Sequence, residues 1–172
     1  MSQQLLTNLT PYQIFALGSF GGTYWRPIKS NVTGKSYKNK HTKYKWAKKL
    51  NNKVLTSTWY DKNINNYKVK VGSTLEQWEE KKWITKYDPY GWVQWYCNYY
   101  EGRRCPDDAR QIMRWNRIAG PNGRFRLWLI TMIIKKNGKW NDNNISPTIR
   151  PTLQHWGYKL TKSHLDSYKK NK

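Results

Sequence analysis

At 172 residues the chain is long enough for one domain with a real core, and its 32 Lys and Arg against 10 Asp and Glu leave a net charge of +22. A balance of that sign and size fits a polyanionic partner, with an anionic membrane or ribosome surface as the rivals. The 11 Trp and 13 Tyr exclude a disordered polycation, and the longest nearly apolar run, Leu127 to Ile134, is far too short to span a bilayer.

The first sixty residues hold no acid; the first is Asp61. Scattered apolar residues from Leu5 to Leu17 lead into Gly18, Gly21 and Gly22, which permit a turn or a close backbone approach, and Thr23-Tyr24-Trp25 predicts a short strand. Lys29 to Lys53 is lysine-rich with Tyr37, Tyr44 and Trp46 interleaved. A solvated loop, a short helix and an arm that orders on a polyanion all fit that stretch. Residues 1–65 therefore read as a basic, Gly- and Lys-rich segment packing on a helical core of residues 66–161, with a basic tail at 162–172 that continues as a frayed helix.

Within the core, Ser73-Thr-Leu-Glu76 predicts a capping box opening a helix that runs to about Trp83. Asp88 as cap and Pro89 at the first position predict a second helix, which Gly102 ends. Its Trp92, Trp95, Tyr96 and Tyr99 have the spacing of a buried face. Pro106-Asp107-Asp108 opens a third, with both carboxylates at its positive end. Gly120-Pro-Asn-Gly123 is a turn, and a fourth helix carries Phe125, Leu127, Trp128, Leu129, Ile130, Met132, Ile133 and Ile134. Apolar residues on most of its sides place it centrally, with Trp128 in the core. After a loop at Asn141 to Asn144, Ser146-Pro147 starts a fifth helix through about Trp156, ended by Gly157, with Pro151 early enough to be strained rather than excluded. The expected fold is a mostly helical domain, α or α+β, with a short strand or β-hairpin near the N-terminus.

Seven of the nine arginines fall within twenty-four residues: Arg103, Arg104, Arg110, Arg114, Arg117, Arg124 and Arg126. The guanidinium fork matches phosphate and base edges in a way the lysine point charge does not. Arg110, Arg114 and Arg117 recur at i, i+4 and i+7 and so share one helical side. With Lys43, Lys45 and Trp46 of the N-terminal segment, these arginines form the expected nucleic-acid-binding set; a solvated face around a core is the alternative. The helices flanking the 120–123 turn make a helix–turn–helix pair, although the second is too apolar to lie exposed in a groove. Trp25, Trp46, Trp59 and Trp140 lie in polar or basic contexts and are candidates for stacking on bases.

Other chemistries find less support. His41, His155, His164, Cys97 and Cys105 lack paired metal-ligand spacing, so neither metal nor cofactor is expected and the two thiols are read as reduced. Gly18-Ser-Phe-Gly-Gly lacks the lysine of a phosphate-binding loop. Asp107 and Asp108 are the strongest acidic pair for a nuclease or base-excision reaction, against a structural role at a helix start, so no catalytic residue is assigned. His155 is read as a hydrogen-bonded core histidine ahead of a general base.

Several blocks together, Gly18-Ser-Phe-Gly-Gly-Thr-Tyr-Trp-Arg-Pro-Ile28, Val69-Lys-Val-Gly-Ser-Thr-Leu-Glu-Gln-Trp78, Asp88-Pro-Tyr-Gly-Trp-Val-Gln-Trp-Tyr-Cys97, Gly102-Arg-Arg-Cys-Pro-Asp-Asp108, Gly120-Pro-Asn-Gly-Arg-Phe-Arg126 and Ser146-Pro-Thr-Ile-Arg150 with Leu153-Gln-His-Trp-Gly-Tyr-Lys-Leu-Thr161, resemble a family of small, basic, Trp/Tyr-rich proteins. That family is found in giant DNA viruses of protists and in some fungi and other eukaryotes. The resemblance spans most of the chain and implies a viral setting; it brings no activity with it. The expectation is thus a nucleic-acid-binding protein, of DNA rather than RNA, that contacts phosphates in viral genome handling or packaging. It would be intracellular and not secreted, without a membrane partner, in a virion, a viral factory or the host nucleus. A nucleic-acid-processing enzyme using Asp107 and Asp108, and a virion structural protein, are the alternatives.

Overall fold

Seven helices and one two-stranded antiparallel sheet make up the regular structure of the computed structural model, which describes residues 4–171. In chain order these are α1 (Pro11–Ala16), β1 (Ile28–Lys29), β2 (Ser36–Tyr37), three short 3-10 turns between Lys40 and Val54, α2 (Leu75–Glu80), α3 (Trp92–Tyr100), α4 (Asp108–Ile118), α5 (Arg124–Lys135), α6 (Ile149–His155) and α7 (Lys162–Lys170). β1 pairs with β2 through Ile28 opposite Tyr37. The fold is mostly α with a small sheet near the N-terminus, as composition and periodicity predict.

Local chemistry explains the boundaries. Thr10 and Gln13 form a capping box on α1, and Thr74 and Gln77 form one on α2. The second box lies one residue beyond the Ser73–Glu76 pair, and α2 stops at Glu80 rather than Trp83. Asp88 caps nothing: α3 starts at Trp92 behind Gly91, and Asp88 is buried against Arg103. Pro151 sits in the first turn of α6, where its missing N–H has no helical acceptor to lose.

The short strand is not at Thr23 to Trp25, which forms turns; Trp25 is 0% exposed, so it is core and not a stacking platform. The lysine-rich stretch resolves into β1, β2 and the 3-10 turns, with His41, Tyr44 and Ala47 buried beneath exposed lysines. Trp128 also departs from expectation, at 57% exposed. α5 buries one stripe, Leu129, Ile130 and Ile133, and presents Trp128 to solvent.

One hydrophobic cluster joins the two halves of the chain, from Leu9, Ile14, Phe15 and Trp25 to Trp95, Trp115, Leu153 and Leu165. The N-terminal segment is stitched to the helices by buried polar bonds. The Tyr96 hydroxyl donates to the Leu9 carbonyl at 2.8 Å, and the Tyr24 hydroxyl donates to the Tyr90 carbonyl at 2.7 Å while accepting from the Gln94 amide at 2.9 Å. Two glycines permit this packing. Gly18 (φ +65°) and Gly22 (φ +89°) adopt left-handed conformations, and a Cβ on either would overlap a backbone carbonyl, that of Ile64 or of Lys53. α3, α4, α5 and α6 pack in sequence, and Arg110 and Arg114 of α4 reach the Trp83 carbonyl just after α2.

Candidate nucleic-acid interface

The seven clustered arginines do not form one patch: most are held by what lies next to them, and Arg117 is not. Arg103 clamps Asp88 with both terminal nitrogens, at 2.8 and 2.6 Å, and its guanidinium is raised above its ordinary range because Asp88 outweighs the opposing effect of burial. Lys43 donates to Asn98 Oδ1 at 2.6 Å, beside this pair, and burial together with nearby Arg103 lowers its pKa. Arg104 lies 3.7 Å over the Tyr99 ring, and Arg126 lies 4.7 Å over Tyr158. Arg117 and Lys45 are exposed. Arg110 grips Asp107 at 2.5 and 2.9 Å and donates to the Trp83 carbonyl at 3.2 Å. Arg110, Arg114 and Arg117 share a side of α4, but only Arg117 is left in open solvent.

Two of the seven line a cavity. α2, the start of α3, the α4–α5 corner and α6 enclose a two-lobed cleft whose lobes share Phe20, Tyr24, Gly72, Ser73, Trp78 and His155. The larger lobe, about 410 Å³, mixes apolar residues with Arg26, Lys70, Glu76, Thr23, Ser73 and Thr74 in its wall. The smaller lobe, about 230 Å³, is walled by Trp78, Trp83, Trp92, Phe125 and Trp156, with Arg114 and Arg124 beside them. The Arg114 guanidinium lies 5.7 Å from the Trp83 ring and 5.4 Å from the Trp156 ring, and Arg124 lies 5.0 Å over Phe125.

Arg114 is the electrostatic centre of this lobe. One of its nitrogens, Nη1, donates to the Trp83 carbonyl at 3.2 Å and to Gln111 Oε1 at 2.9 Å. It has no carboxylate partner: among the described residues the ion pairs are Arg103–Asp88, Arg110–Asp107 and Lys162–Asp166. Burial and the neighbouring Arg110 push its pKa down to about 10. A desolvated cation with no carboxylate bonded to it, opposed only by the more distant charge of Asp107, is what a bound phosphate or other anion relieves.

His155 stands where the lobes meet, its ring stacked on Phe20 at 4.3 Å between centroids. Nε2 lies 2.8 Å from the Ser19 carbonyl, which can only accept, so Nε2 carries the proton and Nδ1 is the acceptor. Nδ1 lies on the side of Gly72, a cleft residue. Burial lowers the pKa to about 4. The folded state therefore resists protonation where the unfolded chain, near 6.5, accepts it. This contribution to stability is whole above pH 6.5 and is lost as pH falls from 6.5 towards 4, by up to about 3 kcal/mol. We expect the melting temperature to fall across that window, and histidine-detected NMR to show one imidazole that stays neutral, with Nδ1 unprotonated, until about pH 4. An imidazole titrating near 6.5 at this site would contradict the assignment.

Among the tryptophans proposed as stacking platforms, Trp46 packs on Phe15 and Tyr44 at 5.4 and 5.1 Å, so its stacking is used internally. Trp59 is 65% exposed and lies outside the cleft, and Trp140 is packed against the core. The cleft tryptophans Trp78, Trp83 and Trp156 are not singled out by sequence, because they stand in or just after short helices where neither a stripe nor a basic run marks them.

The acidic pair is engaged. Asp107 accepts from Arg110 and from Gln111 Nε2 at 2.9 Å, and Asp108 accepts from the Trp95 indole at 2.8 Å and the Cys105 amide at 3.0 Å. Burial works to raise the Asp108 pKa, but those donors outweigh it and hold the carboxyl below its usual range. Cys97 and Cys105 are free thiols. Among the described residues no three His, Cys, Asp or Glu side chains gather as a metal site, and no helix is long and apolar enough to cross a membrane.

No family model, curated protein or solved structure matches the chain.

Proposed function

We propose that the protein binds nucleic acid, DNA in preference to RNA, through the basic surface around the two-lobed cleft, in the handling or packaging of a viral genome. The viral setting rests on the sequence resemblance alone. The observation that carries the binding reading is the convergence of Arg114 and Arg124 on a cavity walled by aromatic rings, in a chain of net charge +22. Guanidinium groups take phosphates, aromatic faces take bases, and a cleft holding both suits a polyanion that also presents planar rings. The arrangement of the acids supports the same reading. Asp88 and Asp107 are buried and paired with arginines, so their charge is withdrawn from the surface.

The test is a binding titration against duplex DNA, single-stranded DNA and RNA over a range of salt. Log affinity should fall linearly with log salt, with a slope of about −0.9 for each duplex phosphate contacted. Binding with a slope near zero would contradict an electrostatic interface, as would an absence of binding at low salt.

A further inference from the structure

The smaller lobe differs from the rest of the basic surface. Its aromatic side chains, among them Trp78, Trp83, Trp92, Phe125 and Trp156, wall about 230 Å³, below the roughly 300–1,000 Å³ of sites that hold drug-sized ligands. Such a space suits one planar ring system and is too small for a stretch of strand. Most of the rings are already committed. Trp92 packs on Trp156 at 4.7 Å, Arg114 approaches Trp83 and Trp156, and Arg124 covers Phe125. Trp78 is the exception: it lines both lobes, packs by its edge near Gly91, and stacks on no other ring among the described residues.

Two polar atoms of the wall also lack partners within the protein. The Trp92 indole N–H is buried and makes no hydrogen bond, which is unfavourable in a folded protein. His155 Nδ1 is an acceptor without a protein donor among the described residues, its tautomer fixed by Ser19. A purely structural aromatic core requires neither atom to stay unmatched. Beside them sits the Arg114 guanidinium, without a carboxylate partner, and exposed Arg124 stands at the same rim.

We propose that this lobe receives a single unpaired nucleobase, stacked on Trp78, with the attached phosphate held by Arg114 and Arg124 and a base N–H donated to His155 Nδ1. The inference rests on the nucleic-acid reading above and narrows it. The protein would prefer a strand with an extrahelical or single-stranded nucleotide to a fully paired duplex, because a paired base cannot enter a pocket this narrow. The larger lobe, with Lys70 and Arg26, would carry the adjoining backbone.

The full-length chain should be titrated at one salt concentration with three DNA duplexes: fully paired, with one bulged adenine, and with an abasic bulge at the same place. The adenine bulge should bind about ten-fold or more tightly than the other two, the size expected for one base stacked on an aromatic side chain. Trp78→Leu should abolish that preference while keeping the salt slope on paired duplex, and Trp78→Phe should restore much of it. Equal affinity for all three duplexes with a normal salt slope would overturn the inference and leave the binding reading standing. Binding to none would overturn both. A bulge preference that survives Trp78→Leu would also overturn it. If Trp78→Leu fails to fold, the parent protein decides the matter with deoxyadenosine 5′-monophosphate as the probe. Saturable quenching of tryptophan emission supports the pocket, and unchanged emission at millimolar nucleotide overturns it.

Discussion

Trp95→Ala will destabilise the protein by about 3–5 kcal/mol, a large part of the roughly 5–15 kcal/mol that holds a domain folded. Trp95 is 0% exposed on α3, packs against Trp92 and Tyr99 at 5.8 and 4.9 Å between centroids, and donates its indole N–H to Asp108 at 2.8 Å. Truncation opens a cavity at the centre of the domain and removes one of the donors that keep Asp108 ionised at the start of α4. For a chain of this size the melting temperature should drop by about 6–20 °C. Trp128→Ala is the control. That side chain is 57% exposed, and its loss should cost less than about 1 kcal/mol. Urea denaturation of the two variants separates the cases, and equal losses would mean that the burial of α3 or α5 is misassigned.

Asp88→Asn should be the next most damaging change. The Asp88 carboxylate is 1% exposed and receives both Arg103 nitrogens and Asn98 Nδ2, while Asn98 Oδ1 collects Lys43 and the Tyr44 hydroxyl. Removing the anion leaves Arg103 and Lys43 facing each other over a buried network with no negative charge. Breaking a buried pair costs about 3–5 kcal/mol, and the 30% exposure of Arg103 puts this one on the order of 3 kcal/mol. The comparison is Asp166→Asn, which breaks the exposed Lys162–Asp166 pair and should leave the melting temperature essentially unchanged. A loss no larger in Asp88→Asn than in Asp166→Asn, by thermal denaturation, would contradict the network.

The helices were legible wherever a local rule sufficed. The i, i+3, i+4, i+7 stripe of α3, the carboxylates opening α4 and the Gly157 stop after α6 are short-range signals, and each appears close to its predicted place. Errors arose where a residue has a long-range partner. Asp88 reads as a helix cap beside Pro89 but is claimed by Arg103, fifteen residues away. Trp25 sits in a Gly-, Thr- and Arg-rich segment that looks exposed, yet its amide is bonded to Leu55 and its ring packs on Tyr44 and Tyr90. Trp128 lies in an apolar run, but α5 needs only one face for its neighbours. The arginine cluster was plain in the sequence. Its division between internal clamps, Arg103 and Arg110, and the cleft arginines, Arg114 and Arg124, was not, because the acids and rings that separate them come from other segments of the chain.

Hydrogen–deuterium exchange of the protein saturated with a DNA oligonucleotide tests the central claim most directly, since it maps contact without altering the chain. The cleft account predicts slowed exchange in the segments that wall it, residues 72–83, 114–125 and 152–156, with little change in the lysine-rich turns at 40–54. Protection confined to residues 40–54, or none in the three cleft segments at full occupancy, would contradict it.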